Sequence, residues 1–224
     1  MNNVVDLGTN IGQTLNEFSR KCKKFFPGDS AYLDSLFNGP KVFSGCLGVD
    51  KEEKYRSDLE GQGASFAALD LSDASTVDSL PAASYYVTSK LLHHLGSLES
   101  ASYLVNAMLA KASRGVWIRA LSFEQDDQTG EGVLNKFGLR FGWANKYTRC
   151  PIKNIISLVD LDVWDINLLP AKRIRHTNDY RVLPLDSPAD KEEYEEIMGH
   201  KPQHQLVPEV VSEWDIFIGK KHAD

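Results

Sequence analysis

Hydrophobic and polar positions alternate along the first half of the chain in a pattern typical of strands followed by helices. Apolar runs of strand length, bounded by turn residues, predict buried strands. They lie at Asn3–Leu7, Val42–Val49, Ser65–Leu69, Ser84–Thr88 and Val116–Leu121. Helical spacing of apolar residues predicts a helix over Leu98–Lys111. This alternation over residues 1–124 predicts a parallel sheet with helices on both faces.

Further elements are predicted around this framework. A helix is expected from Ile11 towards Cys22, and a charged helix over Lys51–Leu59. The tripeptide Ser113-Arg114-Gly115 is expected to end the helix before the fifth strand. In the less regular second half, strands are predicted at Tyr180–Leu185 and Glu213–Gly219, and helices at Gly132–Phe137 and Asp190–Met198.

Composition places the chain among globular proteins. It has 224 residues, of which 42% are hydrophobic and 25% charged, and this suits one domain. The formal net charge of −6 disfavours a protein that binds nucleic acid through bulk charge, although a local basic patch leaves RNA binding open. No apolar run reaches the roughly 18 residues that a membrane span needs, so we expect no membrane contact.

The cysteines are scattered, and their pattern bears on the cellular compartment. Cys22, Cys46 and Cys150 form no Cys-x-x-Cys pair, so neither a disulfide framework nor a cysteine zinc site is predicted. The first residues lack the basic and apolar regions of a signal peptide. We therefore expect a cytoplasmic protein that holds no metal.

The most informative segment joins the first strand to the first helix and runs from Val4 to Gly12. Glycine lets the backbone turn sharply and approach a ligand closely. Between a strand and a helix, such a turn forms the first crossover of a nucleotide-binding sheet. A turn that serves only strand-to-helix packing is the alternative. The dinucleotide pattern Gly-x-Gly-x-x-Gly is absent, and no Gly-Lys-Ser/Thr closes a P-loop.

This segment resembles the first motif of class I S-adenosylmethionine-dependent methyltransferases, which reads acid-x-Gly-x-Gly-x-Gly. Asn10 replaces the middle glycine, and asparagine adopts left-handed backbone more readily than most residues. The resemblance implies a doubly wound, Rossmann-like α/β fold with a mostly parallel seven-stranded sheet, helices on both faces and an antiparallel C-terminal strand. It also implies that S-adenosylmethionine binds at Asp6, Gly8, Thr9, Asn10 and Gly12.

Three further strand ends follow the order of the same family. Asp50 matches the acid that accepts from both ribose hydroxyls, which suits a carboxylate because it offers only acceptors. Asp70 matches the acid near the adenine amine, and the backbone N–H of Leu71 would donate to the ring. Ser89 ends the fourth strand and completes the implied cofactor site. For Asp50 and Asp70, simple helix capping is the alternative.

The segment after the fourth strand, Leu91-Leu92-His93-His94-Leu95, resembles the fourth motif of many small-molecule methyltransferases. Methyl transfer from a sulfonium depends mainly on positioning and exclusion of water, and it needs a base only when the acceptor loses a proton. His93 and His94 are the candidate catalytic bases. The alternative is that one packs against the sheet and the other is solvated.

The resemblance implies methyl transfer to an O or N atom of a small molecule, with S-adenosylhomocysteine as product. A methyltransferase with an RNA or protein acceptor and a non-catalytic module that binds a partner protein or RNA stay open. The basic groups Arg20–Lys24 and Lys172–His176 favour RNA. We expect one domain over residues 1–224, with insertions at about 25–40 and 139–178. The final hairpin is expected from Tyr180–Leu185 and Trp214–Gly219. Because the first strand starts so early, a homodimer or a partner chain covering the cofactor is also open.

Overall fold

The computed structural model describes residues 2–37, 43–123, 152–176 and 209–221, with side chains for 2–37, 43–120, 152–169 and 213–221. The strands are β1 (Asn2–Leu7), β2 (Cys46–Asp50), β3 (Ser65–Ala68), β4 (Ala83–Ser89), β5 (Ala112–Phe123), β6 (Trp164–His176) and β7 (Glu209–Lys220). The α-helices are α1 (Gln13–Phe25), α2 (Ser30–Phe37), α3 (Arg56–Gly61), α4 (Ala74–Asp78), α5 (Leu98–Lys111) and α6 (Ile152–Ser157).

The strands form one seven-stranded sheet in the order β3-β2-β1-β4-β5-β7-β6. Strands β1 to β5 pair in parallel, whereas β7 runs antiparallel to both of its neighbours. The predicted mostly parallel sheet with an antiparallel C-terminal strand is therefore confirmed. The chain builds outward from β1 to β3 and then crosses back to β4, so the strand order reverses between β1 and β4. Open α/β sheets bind ligands at such a switch point, beyond the carboxyl ends of the strands.

Helices cover both faces, and alternate residues of the central strands supply two separate cores. Tyr85 of β4 belongs to one core and Tyr86 to the other. The core beneath α1, α2 and α3 is rich in aromatic rings, including Phe18, Phe26, Tyr85, Trp117 and Phe217. The core beneath α4, α5 and α6 is mainly aliphatic, with Val77, Val105, Met108, Val116 and Ile155.

Helix α5 spans the residues that the sequence predicts, but the break expected after it is wrong. Ser97 caps the helix, since its side chain accepts from the backbone N–H of Ser100. Ala112 then takes extended backbone and opens β5, so Ser113-Arg114-Gly115 lies within the strand. Gly115 serves packing: a Cβ there would lie 2.7 Å from Cε1 of Phe26.

The strand that pairs with β7 also differs from the prediction. It is β6, which lies within the segment 139–178 expected as an insertion. Pro170 and the basic residues after it obscure the strand pattern, and β6 accommodates the proline as an edge strand with a register shift between Pro170 and Lys172. The predicted elements at Tyr180–Leu185, Gly132–Phe137 and Asp190–Met198 lie outside the described residues.

Two other segments depart from the expected elements. The charged stretch expected as one helix over Lys51–Leu59 forms a 3₁₀ turn at Glu53–Tyr55 followed by α3. In the segment expected as an insertion at about 25–40, a 3₁₀ turn at Pro27–Asp29 leads into α2. Helix α2 packs on α1 through buried Leu33 and Leu36.

Candidate functional site

A left-handed turn over residues 8–12 joins β1 to α1 at the switch point of the sheet. Gly8, Asn10 and Gly12 have φ angles of 69°, 50° and 80°, the region that favours glycine. Asn10 therefore adopts the conformation that a glycine would supply. The backbone N–H groups of Gly8 and Thr9 donate to the carbonyl of Val49 at 2.8 and 3.2 Å, which fixes the turn against β2.

Asp50 ends β2 beside this turn. Its Oδ1 accepts from the backbone N–H of Glu52 at 3.0 Å, and its Oδ2 accepts from that of Asn10 at 3.4 Å. The first bond is a local turn of the capping kind. The second reaches the glycine turn, so the carboxylate also bridges two loops. Because Asp50 is partly exposed and each oxygen can accept further bonds, it has acceptor capacity for a ligand.

Asp6 lies at the base of the same turn and is fully buried. Its Oδ2 accepts from the Thr9 hydroxyl at 2.7 Å, but its Oδ1 has no hydrogen-bond partner among the described residues. Burial raises the pKa of this carboxyl to about 8, and the nearby charge of Asp50 adds to the rise, against the lowering effect of Thr9. Buried polar atoms are nearly always paired, so Oδ1 is left for a further partner, as a donor while the carboxyl is protonated and as an acceptor once it is ionised.

Asp70 follows β3 and lies next to the end of β2. The backbone N–H of Leu69 donates to the carbonyl of Asp50 at 3.0 Å, which joins the two strand ends. The Asp70 carboxylate accepts from the hydroxyl and backbone N–H of Ser72, at 2.6 and 2.9 Å, and these bonds lower its pKa. It stays exposed, whereas the Leu71 side chain is buried in the aliphatic core, so only the Leu71 backbone is placed to meet a ligand.

The end of β4 carries a feature that the sequence does not reveal. After half-buried Ser89, Lys90 has a left-handed φ of 59°, and its N–H donates to the carbonyl of Arg119 at 2.9 Å. Its ammonium pairs with Glu213 of β7 at 2.6 Å. Leu91 packs over the glycine turn, since a Cβ on Gly8 would lie 3.0 Å from Leu91 Cδ1. The sequence signal for this turn is weak because lysine rarely adopts positive φ.

The two histidines lie in a 3₁₀ turn, Leu92–His94, with their rings 4.1 Å apart. His93 is buried, and burial lowers its pKa to about 3, with smaller contributions from His94 and Lys90. His94 is exposed, and its pKa is lowered by desolvation and by Lys51. A base whose pKa is far below neutrality takes up a proton poorly. Of the two rings, that of His94 is the one exposed to an incoming acceptor.

The basic residues predicted to favour RNA are partly neutralised. Lys21 pairs with Asp215 at 2.8 Å and with Glu17 at 3.2 Å, and Lys23 pairs with Asp34. The side chains of Lys172–His176 lie outside the described ones.

Within the described part of the chain, no helix is long and apolar enough to cross a membrane. The same part contains no group of three or more His, Cys, Asp or Glu side chains placed to hold a metal ion.

The architecture matches solved structures. The chain superposes on BH2331, a methyltransferase candidate from Bacillus halodurans, with a TM-score of 0.58 and 10% sequence identity, over 99% of this chain and 93% of that one. For the YcgJ protein of Bacillus subtilis, the TM-score is 0.53 at 11% identity, over 100% and 93% of the two chains. No protein-family model and no curated protein matches the sequence. At such identities the likeness shows the fold, which is the Rossmann-like fold of class I methyltransferases.

Proposed function

We propose that this chain is an S-adenosylmethionine-dependent methyltransferase that methylates an O or N atom of a small molecule. The observation that carries the proposal is the meeting of three features at the switch point: the left-handed turn, the buried and unpaired oxygen of Asp6, and the carboxylate of Asp50. A turn that served packing alone would not need a buried carboxyl group with an unpaired oxygen.

The residues at the strand ends fit the chemical groups of the proposed cofactor. Asp6 Oδ1 would accept from the ammonium group, directly or through water, and the approach of a cation would lower the raised pKa of Asp6. Asp50 would accept from the two ribose hydroxyls, and Asp70 with the Leu71 N–H would bind the adenine edge. The rest of the proposed cofactor site would be lined by Gly8, Thr9, Asn10, Gly12 and Ser89. The cofactor supplies a methyl group on a sulfonium, and S-adenosylhomocysteine is left.

Two observations support a small-molecule acceptor over the alternatives. Lys21 and Lys23 are engaged with carboxylates and the net charge is −6, so the described basic residues give little support to a phosphate-backbone grip. Asn10 keeps the left-handed turn, so its presence does not argue for a degenerate, non-catalytic module. His94 would take the acceptor proton where one is lost, and His93 would pack beneath it.

Calorimetric titration tests the cofactor assignment. We expect S-adenosylmethionine and S-adenosylhomocysteine to bind in the micromolar range and NAD not to bind. Asp50→Ala removes the ribose acceptor and should weaken binding by about 1.5–3 kcal/mol, as for the loss of bonds to a charged group. Glu52→Gln is the matched control, because it changes an exposed carboxylate two residues away. Equal affinity in wild type and Asp50→Ala would refute the assignment of Asp50.

A second experiment separates the histidines once a screen has identified an acceptor. His94→Ala should lower turnover while the cofactor affinity stays the same. His93→Ala should mainly reduce stability, because it removes a buried ring. Turnover is measured with saturating cofactor, and stability by urea denaturation. Unchanged turnover in His94→Ala would remove that residue from the proposed mechanism.

A further inference from the structure

A row of charged side chains of both signs runs across the α1 face of the sheet. It begins on α1, crosses β5 and β7, and ends at the turn after β4. Its members are Glu17, Lys21, Arg119, Asp215, Glu213 and Lys90. Glu213 and Asp215 project on the same side of β7 because they are two residues apart in a strand.

The inner part of the row is closed on itself. Arg119 Nε and Nη2 donate to the two oxygens of Asp215 at 2.9 and 3.0 Å, and Arg119 Nη1 pairs with Glu17. Asp215 also accepts from Lys21 at 2.8 Å and from the Trp117 indole at 3.1 Å. The buried pair of Arg119 and Asp215 and its two half-exposed neighbours therefore satisfy one another and offer little to a ligand.

The outer end of the row is different, because Lys90 is accessible. Its side chain is 46% exposed, whereas that of its partner Glu213 is 7% exposed. An ammonium has three donors, so pairing with Glu213 leaves donors for a second partner. A ligand that approaches this pair meets the cation, with the carboxylate behind it.

The backbone of Lys90 supports a functional interpretation. Its φ of 59° is a conformation that glycine adopts without strain and lysine does not. Strained residues of this kind persist where the surroundings hold them, and they cluster at ligand sites. Here the bond to the Arg119 carbonyl and the pair with Glu213 hold the residue.

The position of Lys90 relates it to the proposed cofactor. Lys90 directly precedes Leu91, which packs on the first glycine of the turn, so it lies at the switch point. Asp50, on β2, lies on the opposite side of β1 from β4. The nucleoside part of the cofactor would therefore bind on the β2 side, and the side of β4 and β5 would remain for the second substrate.

We propose that Lys90, held by Glu213, binds an anionic group of the methyl acceptor, either a carboxylate or a phosphate. This inference rests on the proposed function, because it assigns the β4 side of the same site to the acceptor. Lys90 thereby determines acceptor specificity, and Glu213 is a positioning residue that acts through it.

The test uses two simple probes, benzoate and inorganic phosphate, added to the protein saturated with S-adenosylhomocysteine. Calorimetry and NMR titration at constant ionic strength give the dissociation constants. We expect one probe to bind, Lys90→Met to weaken it at least tenfold, and Lys90→Arg to retain it. Lys23→Met is the control, because Lys23 is also an exposed lysine paired with an acid, but it lies near the carboxyl end of α1, away from the switch point. It should leave the dissociation constant of the probe unchanged.

A second variant keeps the test independent of folding. The double change Lys90→Gly with Glu213→Gln removes the ammonium, relieves the positive φ and avoids a buried unpaired carboxylate. It should fold, bind S-adenosylhomocysteine as wild type does and fail to bind the probe. A probe bound equally well by this variant or by Lys90→Met overturns the inference, as does the absence of binding by both probes.

The outcomes also separate this inference from the proposed function. Failure of S-adenosylhomocysteine to bind wild type counts against the proposed function itself. Normal binding of S-adenosylhomocysteine without a Lys90-dependent probe counts against this inference alone. If benzoate alone binds in a Lys90-dependent manner, the acceptor carries a carboxylate. If phosphate alone does so, the acceptor is phosphorylated.

Discussion

Asp6 is a carboxyl group held where its charge is disfavoured. Its pKa rises from the ordinary 3.8 to about 8, chiefly through burial. Between these two values the folded chain keeps a proton that the unfolded chain releases. The free energy of unfolding that depends on Asp6 is therefore fully present below about pH 4 and is lost as the pH rises through about 8. Asp6 therefore makes the ligand-free protein less stable at neutral and alkaline pH than at acidic pH.

Replacing Asp6 by the isosteric asparagine removes this titration. Relative to wild type, Asp6→Asn should gain in melting temperature from pH 5 to pH 8, with each 1 kcal/mol equal to roughly 2–4 °C for a domain of this size. The same variant should bind S-adenosylmethionine more weakly, since it loses the negative acceptor. Asp58→Asn, which changes an exposed acid on α3, should show neither effect. Parallel pH profiles for Asp6→Asn and wild type would contradict the raised pKa.

Two positions in the glycine turn make a matched pair. Gly12→Ala forces a Cβ into left-handed backbone, with φ at 80°, and should reduce the free energy of unfolding by about 1–2 kcal/mol. Asn10→Gly should retain both stability and cofactor affinity, because φ at position 10 already suits glycine. Chemical denaturation and calorimetry measure the two quantities. Loss of cofactor affinity in Asn10→Gly would mean that the asparagine side chain itself binds.

At the scale of elements, a buried polar cluster at the amino ends of the strands joins the α1–α2 connection to the sheet. Asp29, in the 3₁₀ turn before α2, is buried and accepts from the Tyr85 hydroxyl on β4 and from Arg114 on β5. Burial raises the pKa of Tyr85, so its hydroxyl stays protonated and continues to donate. The cluster lies at the opposite end of β4 from Lys90, so we expect it to stabilise the fold and not to bind the ligand.

Tyr85→Phe should destabilise the fold without affecting the cofactor. It leaves a buried oxygen of Asp29 with one donor fewer, and we expect a loss of about 1–3 kcal/mol in urea denaturation. Tyr103→Phe provides the comparison: its exposed hydroxyl donates to Asp78 at 2.6 Å, and its loss should change stability by less than about 0.5 kcal/mol. A similar loss in the two variants would show that the Asp29 cluster adds nothing.

Elements that depend on local pattern were predictable, and those that depend on distant partners were not. Helix α5 carries its own cap and apolar spacing, and the glycine turn carries its own backbone preference. Strand β6 has no clear sequence pattern, because its edge position tolerates a proline and basic residues. The pair of Lys90 with Glu213 joins residues far apart in sequence, so neither residue alone indicates it. The burial of His93 likewise depends on the packing of several elements, which a histidine pair in the sequence does not indicate.

At the scale of the whole molecule, the inner charge row joins α1, β5 and β7. Arg119→Met leaves Asp215 buried with fewer partners and should reduce the free energy of unfolding by about 3–5 kcal/mol, the usual result of breaking a buried ion pair. Combining it with Asp215→Leu should recover part of that loss, because no unpaired acid remains. Urea denaturation of both single variants and the double variant gives the coupling energy. Simple additivity would mean that the two residues are not coupled.

The antiparallel insertion of β7 also has a consequence for the order of synthesis. On the ribosome β6 is made before β7, yet the order of the sheet places β7 between β6 and β5. Strand β6 therefore leaves the ribosome before β7, the strand with which it pairs, has been synthesised. Until β7 docks, Lys90 lacks its partner Glu213, and Arg119 has Glu17 but lacks Asp215. The nucleoside half of the proposed site, built on β1 to β3, can form early in translation, and the acceptor half is completed only by the last strand to join.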